Sequence, residues 1–204
     1  MIQFDKDRDL FILVDFQNDF ITGALAVKGA ETLVPTINKY IGKFKFILAT
    51  KDWHPPQHSS FKEQGGPWPP HCIQKTWGSE LHAGLDQTKH IFHITKGEDP
   101  DKEAYSAFGD KYFITLINHV VHTAGQHNIF IGGLATDYCV KAHALDAAAM
   151  YGKFKTDNHN PISLFFLADA SMAVNVNPDD GEKAIQEMVN ADVIPVTFND
   201  IIWE

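Results

Sequence analysis

Six short apolar runs recur along the chain: Leu10–Val14, Phe46–Ala49, Ile91–Ile94, Ile129–Ile131, Leu164–Leu167 and Val193–Val196. None shows the strict polar–apolar alternation of a strand with one wet face. They read as strands covered on both sides. Helical patterns fall between them, at Thr32–Ile41, Lys111–Thr123, Thr136–Tyr151 and Gly181–Met188. Strands and helices in this order predict an α/β fold, with a six-stranded, mainly parallel sheet flanked by helices on both faces and right-handed crossovers. The 204 residues carry no internal repeat and no low-complexity linker, so residues 1–204 are expected to form a single domain.

Composition narrows the partners. Hydrophobic residues make up 44% and charged residues 21%, the balance of an ordinary globular chain. A formal net charge of -9 argues against nucleic acid or an anionic membrane as a general partner. The first residues, Met1 to Asp9, are polar and lack a signal-peptide layout. No apolar run approaches the roughly 18 residues of a membrane helix. A cytoplasmic protein with reduced thiols is therefore expected, and a bond between Cys72 and Cys139 is the least favoured reading.

Two stretches break the alternation. Lys51 to Lys89 is long and rich in Pro, Trp and His, and long connections inside compact domains are usually functional. Lys153 to Pro161 is polar and reads as a tolerated surface insertion.

Polar residues sit at the ends of the apolar runs. Asp15 follows the first, Asp52 and His54 the second, Lys96 the third, Cys139 the fourth and Asp169 the fifth. In an open parallel sheet these ends share one edge, where ligands bind. Cys139 lies where Ile129–Ile131 and Gly132-Gly133 give way to a helix start. Backbone N–H groups at a helix start are unpaired donors with partial positive charge. They favour a thiolate and can hold a developing oxyanion. The other reading of Cys139 is a small buried apolar side chain. With Asp15 as base and Lys96 as a supporting cation, Cys139 would suit acyl transfer through a thioester. Taken singly, an Asp or Lys at a strand end is as readily a cap or a solvated charge.

Asp52-Trp53-His54, with His58 and His71 downstream, forms a second set. A carboxylate and two imidazoles suit one divalent metal ion with open positions, whether zinc, iron or manganese. His58 stands as a fourth ligand, a partner of a ligand, or a bystander. Phe20, Trp53, Trp68 and Tyr105 crowd the same places, either as core residues or as walls for a flat aromatic ligand. The remaining histidines, among them His82, His90, His119, His122, His127 and His159, read as solvated or structural. No dinucleotide, phosphate-loop or serine-elbow motif is present.

Val14-Asp15-Phe16-Gln17-Asn18-Asp19-Phe20, Asp52-Trp53-His54-Pro55, Trp68-Pro69-Pro70-His71-Cys72, Lys96-Gly97 and Gly133-Leu134-Ala135-Thr136-Asp137-Tyr138-Cys139-Val140 together resemble the nicotinamidases. These are cysteine amidohydrolases of the isochorismatase-like superfamily. The resemblance implies Cys139 as nucleophile, Asp15 as general base and acid, and Lys96 as supporting cation. It implies Asp52, His54 and His71 as ligands of a divalent metal that binds the substrate's pyridine nitrogen. It implies the N–H groups of Ala135 and Cys139 as the oxyanion hole, with a cis peptide just before Ala135. Phe20 and Trp68 match the residues that sandwich the ring, and Tyr105 and Tyr138 are expected to join them in binding substrate. The implied reaction is nicotinamide to nicotinic acid and ammonia, feeding NAD salvage, with pyrazinamide as a second substrate. Assembly into a homo-oligomer stays open. The rival readings are a superfamily amidohydrolase acting on a carbamoyl or ureido substrate, which would not need the three metal ligands together, an isochorismatase-type vinyl-ether hydrolase, which would need neither thiol nor metal, and a non-catalytic nicotinamide- or metal-binding module, which would have no use for the nucleophile.

Overall fold

The computed structural model describes residues 1–123, 128–152 and 162–203. The expected insertion at Lys153 to Pro161 lies outside them, as do His127 and His159. The six expected strands form one parallel sheet. In chain order they are β2 (Leu10–Val14), β3 (Phe46–Asp52), β4 (Phe92–Lys96), β5 (Asn128–Leu134), β6 (Ser163–Met172) and β7 (Val193–Val196). Their spatial order is β4-β3-β2-β5-β6-β7, every neighbouring pair parallel. Sequence order reverses between β2 and β5, so a crevice opens there at the strands' C-terminal ends.

Helices cover both faces. Phe11 and Leu13 of β2 pack with Ile37, Tyr40 and Ile41 of α2 (Val34–Lys43). Leu10, Ile12 and Val14 pack on the other side, with α3 (Lys111–Thr123), α4 (Lys141–Tyr151) and α5 (Asp180–Asn190) supplying Phe113, Ile117, Ala144, Ala147 and Met188. Alternate side chains of one strand thus enter two cores. This is why the run Leu10–Val14 is apolar throughout. A one-turn helix, α1 (Asn18–Ile21), follows β2.

Several boundaries differ from the sequence reading, each for a physical reason. β3 runs on to Asp52 and β4 to Lys96, because Lys51 pairs with Thr95 and Asp52 with Lys96 in the ladder. Backbone pairing carries both strands past their apolar residues and delivers Asp52 and Lys96 side by side. α2 begins with a 3₁₀ turn at Ala30–Leu33, and Pro35 sits in its first turn, where a missing N–H costs nothing. The expected helix from Thr136 begins as one π-helical turn, Thr136–Val140, before α4. A small ladder was not anticipated: β1 (Ile2–Gln3) pairs with β8 (Ile201–Ile202). Strands this short leave no periodic signal.

Asp169 is a correction. β6 continues past Leu167 to Met172, so Asp169 lies inside the strand rather than at its end. Its carboxylate accepts hydrogen bonds from the Tyr40 hydroxyl at 2.7 Å and the Phe198 N–H at 3.0 Å. It ties α2 to the C-terminal segment and takes no part in the crevice.

Candidate active site

The four adjacent strands β4, β3, β2 and β5 end around one buried ammonium, that of Lys96. Its Nζ lies 2.8 Å from Asp15 Oδ2 and 3.4 Å from Cys139 Sγ, donates to the Ala104 carbonyl at 3.0 Å, and pairs with Asp52 Oδ1. All four side chains, those of Lys96, Asp15, Asp52 and Cys139, are buried. Burial works against the Lys96 charge, but Asp15 and Asp52 outweigh it and hold the ammonium's pKa well above the usual value.

The two carboxylates are driven apart. Burial, opposed by Lys96 and reinforced by the Asp52 charge, raises the Asp15 pKa. Burial would raise Asp52 too, but Lys96 and then His54 hold its carboxyl well below the carboxylate range. One group stays ionised while its neighbour can hold a proton. Asp15 is aimed by Thr50, whose Oγ1 donates to Asp15 Oδ1 at 2.7 Å. Oδ2 makes no aligned hydrogen bond among the described residues, and Lys96 is its near charge. The Cys139 thiol departs from the helix-start expectation. Burial pushes its pKa well above the usual value, since one ammonium is set against two carboxylates. The resting group is a thiol that needs a base.

Beside this centre, Asp52, His54 and His71 bring one ligand atom each within 4.8 Å of one another. The Nδ1 atoms of His54 and His71 face the carbonyls of Gly97 at 2.9 Å and Pro69 at 2.8 Å. Carbonyls only accept, so each Nδ1 carries a proton and each Nε2 is the atom left available to a metal. Metal-ligating histidines are oriented in this way. Gly97 is required at its position: its φ is +70°, and a Cβ would strike the His54 ring. Gln17 grips the Asp52 backbone, its Oε1 accepting from the Asp52 N–H and its Nε2 donating to the Asp52 carbonyl, both at 2.8 Å. The buried donor set fits a divalent cation. His58 stays outside it. Its Nδ1 faces Ser60 Oγ at 2.7 Å, its Nε2 faces the Lys102 carbonyl at 3.0 Å, and its ring packs 4.1 Å from that of His54. His58 therefore packs against His54 while both of its ring nitrogens face other partners.

The peptide Leu134–Ala135 is cis. Just before it, Gly133 has φ +124°, and any Cβ there would collide with the backbone of Val14. The N–H groups on either side of Cys139, those of Tyr138 and Val140, are spent on the Ala135 carbonyl at 3.1 Å each. A cavity opens over Cys139 and Ala135, walled by Phe20, Trp68, Tyr105 and Tyr138. Trp68 Nε1 donates to the Tyr105 hydroxyl at 3.1 Å, and Tyr138 packs at 5.0 Å from Trp68 and 5.7 Å from Tyr105. Phe20 lies 5.5 Å from His71. Trp53 turns away and packs under Lys51 Nζ at 4.6 Å. Cys72 and Cys139 are free thiols.

Leu25, Glu103 and Val174 also line the cavity and were missed. Val174 arrives because the Asp137 carboxylate accepts the N–H groups of Val174 at 2.9 Å and Asn175 at 2.8 Å. Asp137 sits in the nucleophile motif, but nothing in its spacing reveals which distant segment it holds.

Residues 9–197 match the Isochorismatase domain family. The chain belongs to the isochorismatase-domain family. This isochorismatase-domain protein is 34% identical to the nicotinamidase of Escherichia coli (strain K12), with 95% of each chain covered. It is 37% identical to the Pyrococcus horikoshii pyrazinamidase solved with zinc, at a TM-score of 0.78, over 94% of this chain and 99% of that one. It is 33% identical to an L. infantum protein solved with nicotinate, at a TM-score of 0.85, over 100% of this chain and 99% of that one.

Proposed function

We propose that the protein is a metal-containing cysteine amidohydrolase that converts nicotinamide to nicotinic acid and ammonia and also accepts pyrazinamide. The observation that carries this reading is a thiol, a buried carboxylate and a buried ammonium that also pairs with Asp52, one of three clustered residues able to hold a metal, beside an aromatic-walled cavity. Similarity to nicotinamidases and a pyrazinamidase supports the substrate. Residues 1–204 are taken as one catalytic domain, since both apolar clusters run through the same sheet.

Asp15 takes the Cys139 proton, with Lys96 holding the charge that the transfer leaves behind. Cys139 Sγ attacks the carboxamide carbon, and the oxyanion is held by the N–H groups of Ala135 and Cys139. The C–N bond breaks as Asp15 returns its proton to the departing ammonia. Asp15 then takes a proton from water as water splits the thioester, releasing the carboxylate and restoring the thiol. Phe20, Trp68, Tyr105 and Tyr138 enclose the ring and exclude water. Asp52, His54 and His71 would hold a divalent metal, which when bound would supply Lewis acidity beside the substrate ring. The two-imidazole, one-carboxylate set suits zinc, iron or manganese, and similarity to the zinc-bound pyrazinamidase supports zinc. The setting we propose is cytoplasmic NAD salvage. No helix among the described residues is long and apolar enough to cross a membrane.

The test is ammonia release from nicotinamide beside release from an N-carbamoyl amino acid, with metal-loaded protein. Turnover of nicotinamide alone is expected. Turnover of the carbamoyl compound alone would overturn the substrate assignment.

A further inference from the structure

His143 is a buried titratable side chain that the proposed reaction leaves unused. It lies in α4, one turn beyond Cys139, with no exposed surface. Its Nε2 sits 3.0 Å from the Ala107 N–H, and its Nδ1 sits 2.7 Å from the carbonyl oxygen of Cys139. These two partners determine where the proton is. A backbone N–H can only donate, so Nε2 presents its lone pair. A carbonyl can only accept, so Nδ1 carries the hydrogen. The ring is neutral and held in one tautomer. A second proton would set N–H against N–H. Burial and then the Lys96 charge push the pKa down to about 3, in keeping with that geometry.

The two groups joined by this ring belong to different parts of the site. One is the nucleophile residue itself. The other is the 3₁₀ turn Ala107–Gly109, which follows Ala104 and Tyr105 in the chain. The Ala104 carbonyl accepts from Lys96 Nζ at 3.0 Å, and the Tyr105 hydroxyl accepts from Trp68 Nε1 at 3.1 Å. Phe108 and Phe113 pack edge-on against the imidazole, each at 6.2 Å, and fix its plane. An apolar side chain would fill this space without the cost of burying a polar ring. A buried imidazole with both nitrogens satisfied instead specifies one arrangement of its partners.

We propose that His143 is a positioning residue that sets Cys139 and the ring-binding segment around Tyr105 in one frame, through Nδ1 to the nucleophile and Nε2 to the segment. It touches neither substrate nor reacting atoms. The proposal rests on the nicotinamide reading for its kinetic readout only.

Two substitutions separate the arms. His143→Asn places an amide donor near the Nδ1 position and leaves the Ala107 N–H unpaired. His143→Gln places an acceptor near the Nε2 position and releases the Cys139 carbonyl. For ammonia release from nicotinamide, His143→Gln is expected to lower kcat about tenfold with KM within about twofold of wild type. His143→Asn is expected to hold kcat within about threefold and to raise KM about fivefold, because Tyr105 loses its anchor. Iodoacetamide alkylation of Cys139, followed by peptide mass, is expected to slow about fivefold in His143→Gln alone as the thiol drifts from Lys96. A common loss in both variants, or wild-type values with only a lower Tm, would overturn the proposal. If the wild type releases no ammonia, the nicotinamide reading fails while the alkylation rates still decide the role of His143. If neither variant folds, ¹⁵N NMR of the wild-type imidazole decides: the Nδ1–H tautomer supports the proposal, and the Nε2–H tautomer overturns it.

Discussion

The site has two halves that are held by different means. Asp15, Asp52, Lys96 and Cys139 sit at the ends of four neighbouring strands, positioned by ladder hydrogen bonds and two apolar cores. His71 and Trp68 come from the long connection between β3 and β4, which has almost no regular structure of its own. That connection is pinned by single polar groups. The Asp19 carboxylate accepts the Cys72 N–H at 2.7 Å and the Ala24 N–H at 3.0 Å. Asn18 Nδ2 donates to the Trp77 carbonyl at 2.8 Å, and Gln74 Nε2 to that of Trp53 at 3.0 Å. Backbone bonds from the His54 N–H to the Cys72 carbonyl at 3.0 Å and from the Gln74 N–H to the His54 carbonyl at 2.9 Å bring His71 beside His54. The strand-end half is therefore built into the fold, while the half that carries His71 and Trp68 is laid over it. Damage to the first should cost stability and rate together. Damage to the second should cost metal and substrate affinity first.

Lys96→Ala attacks the first half at its centre. It leaves Asp15 and Asp52 buried without their cation, so a loss of about 3–5 kcal/mol in urea unfolding is expected along with loss of turnover. A stable Lys96→Ala protein would erase the contrast between the halves. Gly97→Ala attacks the second half by pressing a methyl group against His54. Metal content after dialysis against a graded chelator should show affinity weakened by about 10–100-fold while the fold persists. Unchanged metal affinity would contradict the role assigned to His54.

These contrasts follow how the chain can be read. The strand-end residues were legible because an apolar run followed by a polar residue is itself a statement about a parallel sheet. Asp169 carried the same signal and misled, because backbone pairing extends β6 beyond its apolar stretch. His71 and Trp68 have no such geometric signal, since a proline-rich loop does not announce where it lands. They were found through a motif. His143 falls among the histidines read as solvated or structural, since a single histidine in an alanine-rich helix carries no further signal. Its fixed tautomer emerges only once Ala107 and the Cys139 carbonyl are seen on its two sides. The β1–β8 ladder and the reach of Asp137 to Val174 depend on contacts between distant segments that no local pattern encodes.

Thr50→Val sharpens the comparison within the first half. It removes the hydroxyl that donates to Asp15 Oδ1 and keeps the shape, so kcat should fall about tenfold and stability by about 1–3 kcal/mol, with KM nearly unchanged. An equal change in KM would assign Thr50 to ring binding instead. The smallest effect is expected at Asp9, away from both halves. Burial raises its folded pKa to about 6, from 3.8, even though it accepts from the Asp5 N–H and Asn128 Nδ2. Between those values the folded chain holds a proton that the unfolded chain has released, so this group's contribution to stability falls as pH rises from about 4 to 6. The stability of Asp9→Asn relative to wild type should therefore improve across that window and level off above it, read from urea midpoints. A difference independent of pH would mean that Asp9 titrates normally.

The central claim is that Cys139 carries the acyl group. Rapid acid quench during nicotinamide turnover, followed by peptide mass spectrometry, tests it directly, with Cys139→Ala in parallel. The expected result is a nicotinoyl adduct on the Cys139 peptide in the wild type, and neither adduct nor ammonia in the variant. Ammonia release by Cys139→Ala at the wild-type rate, or an adduct on Cys72, would contradict it.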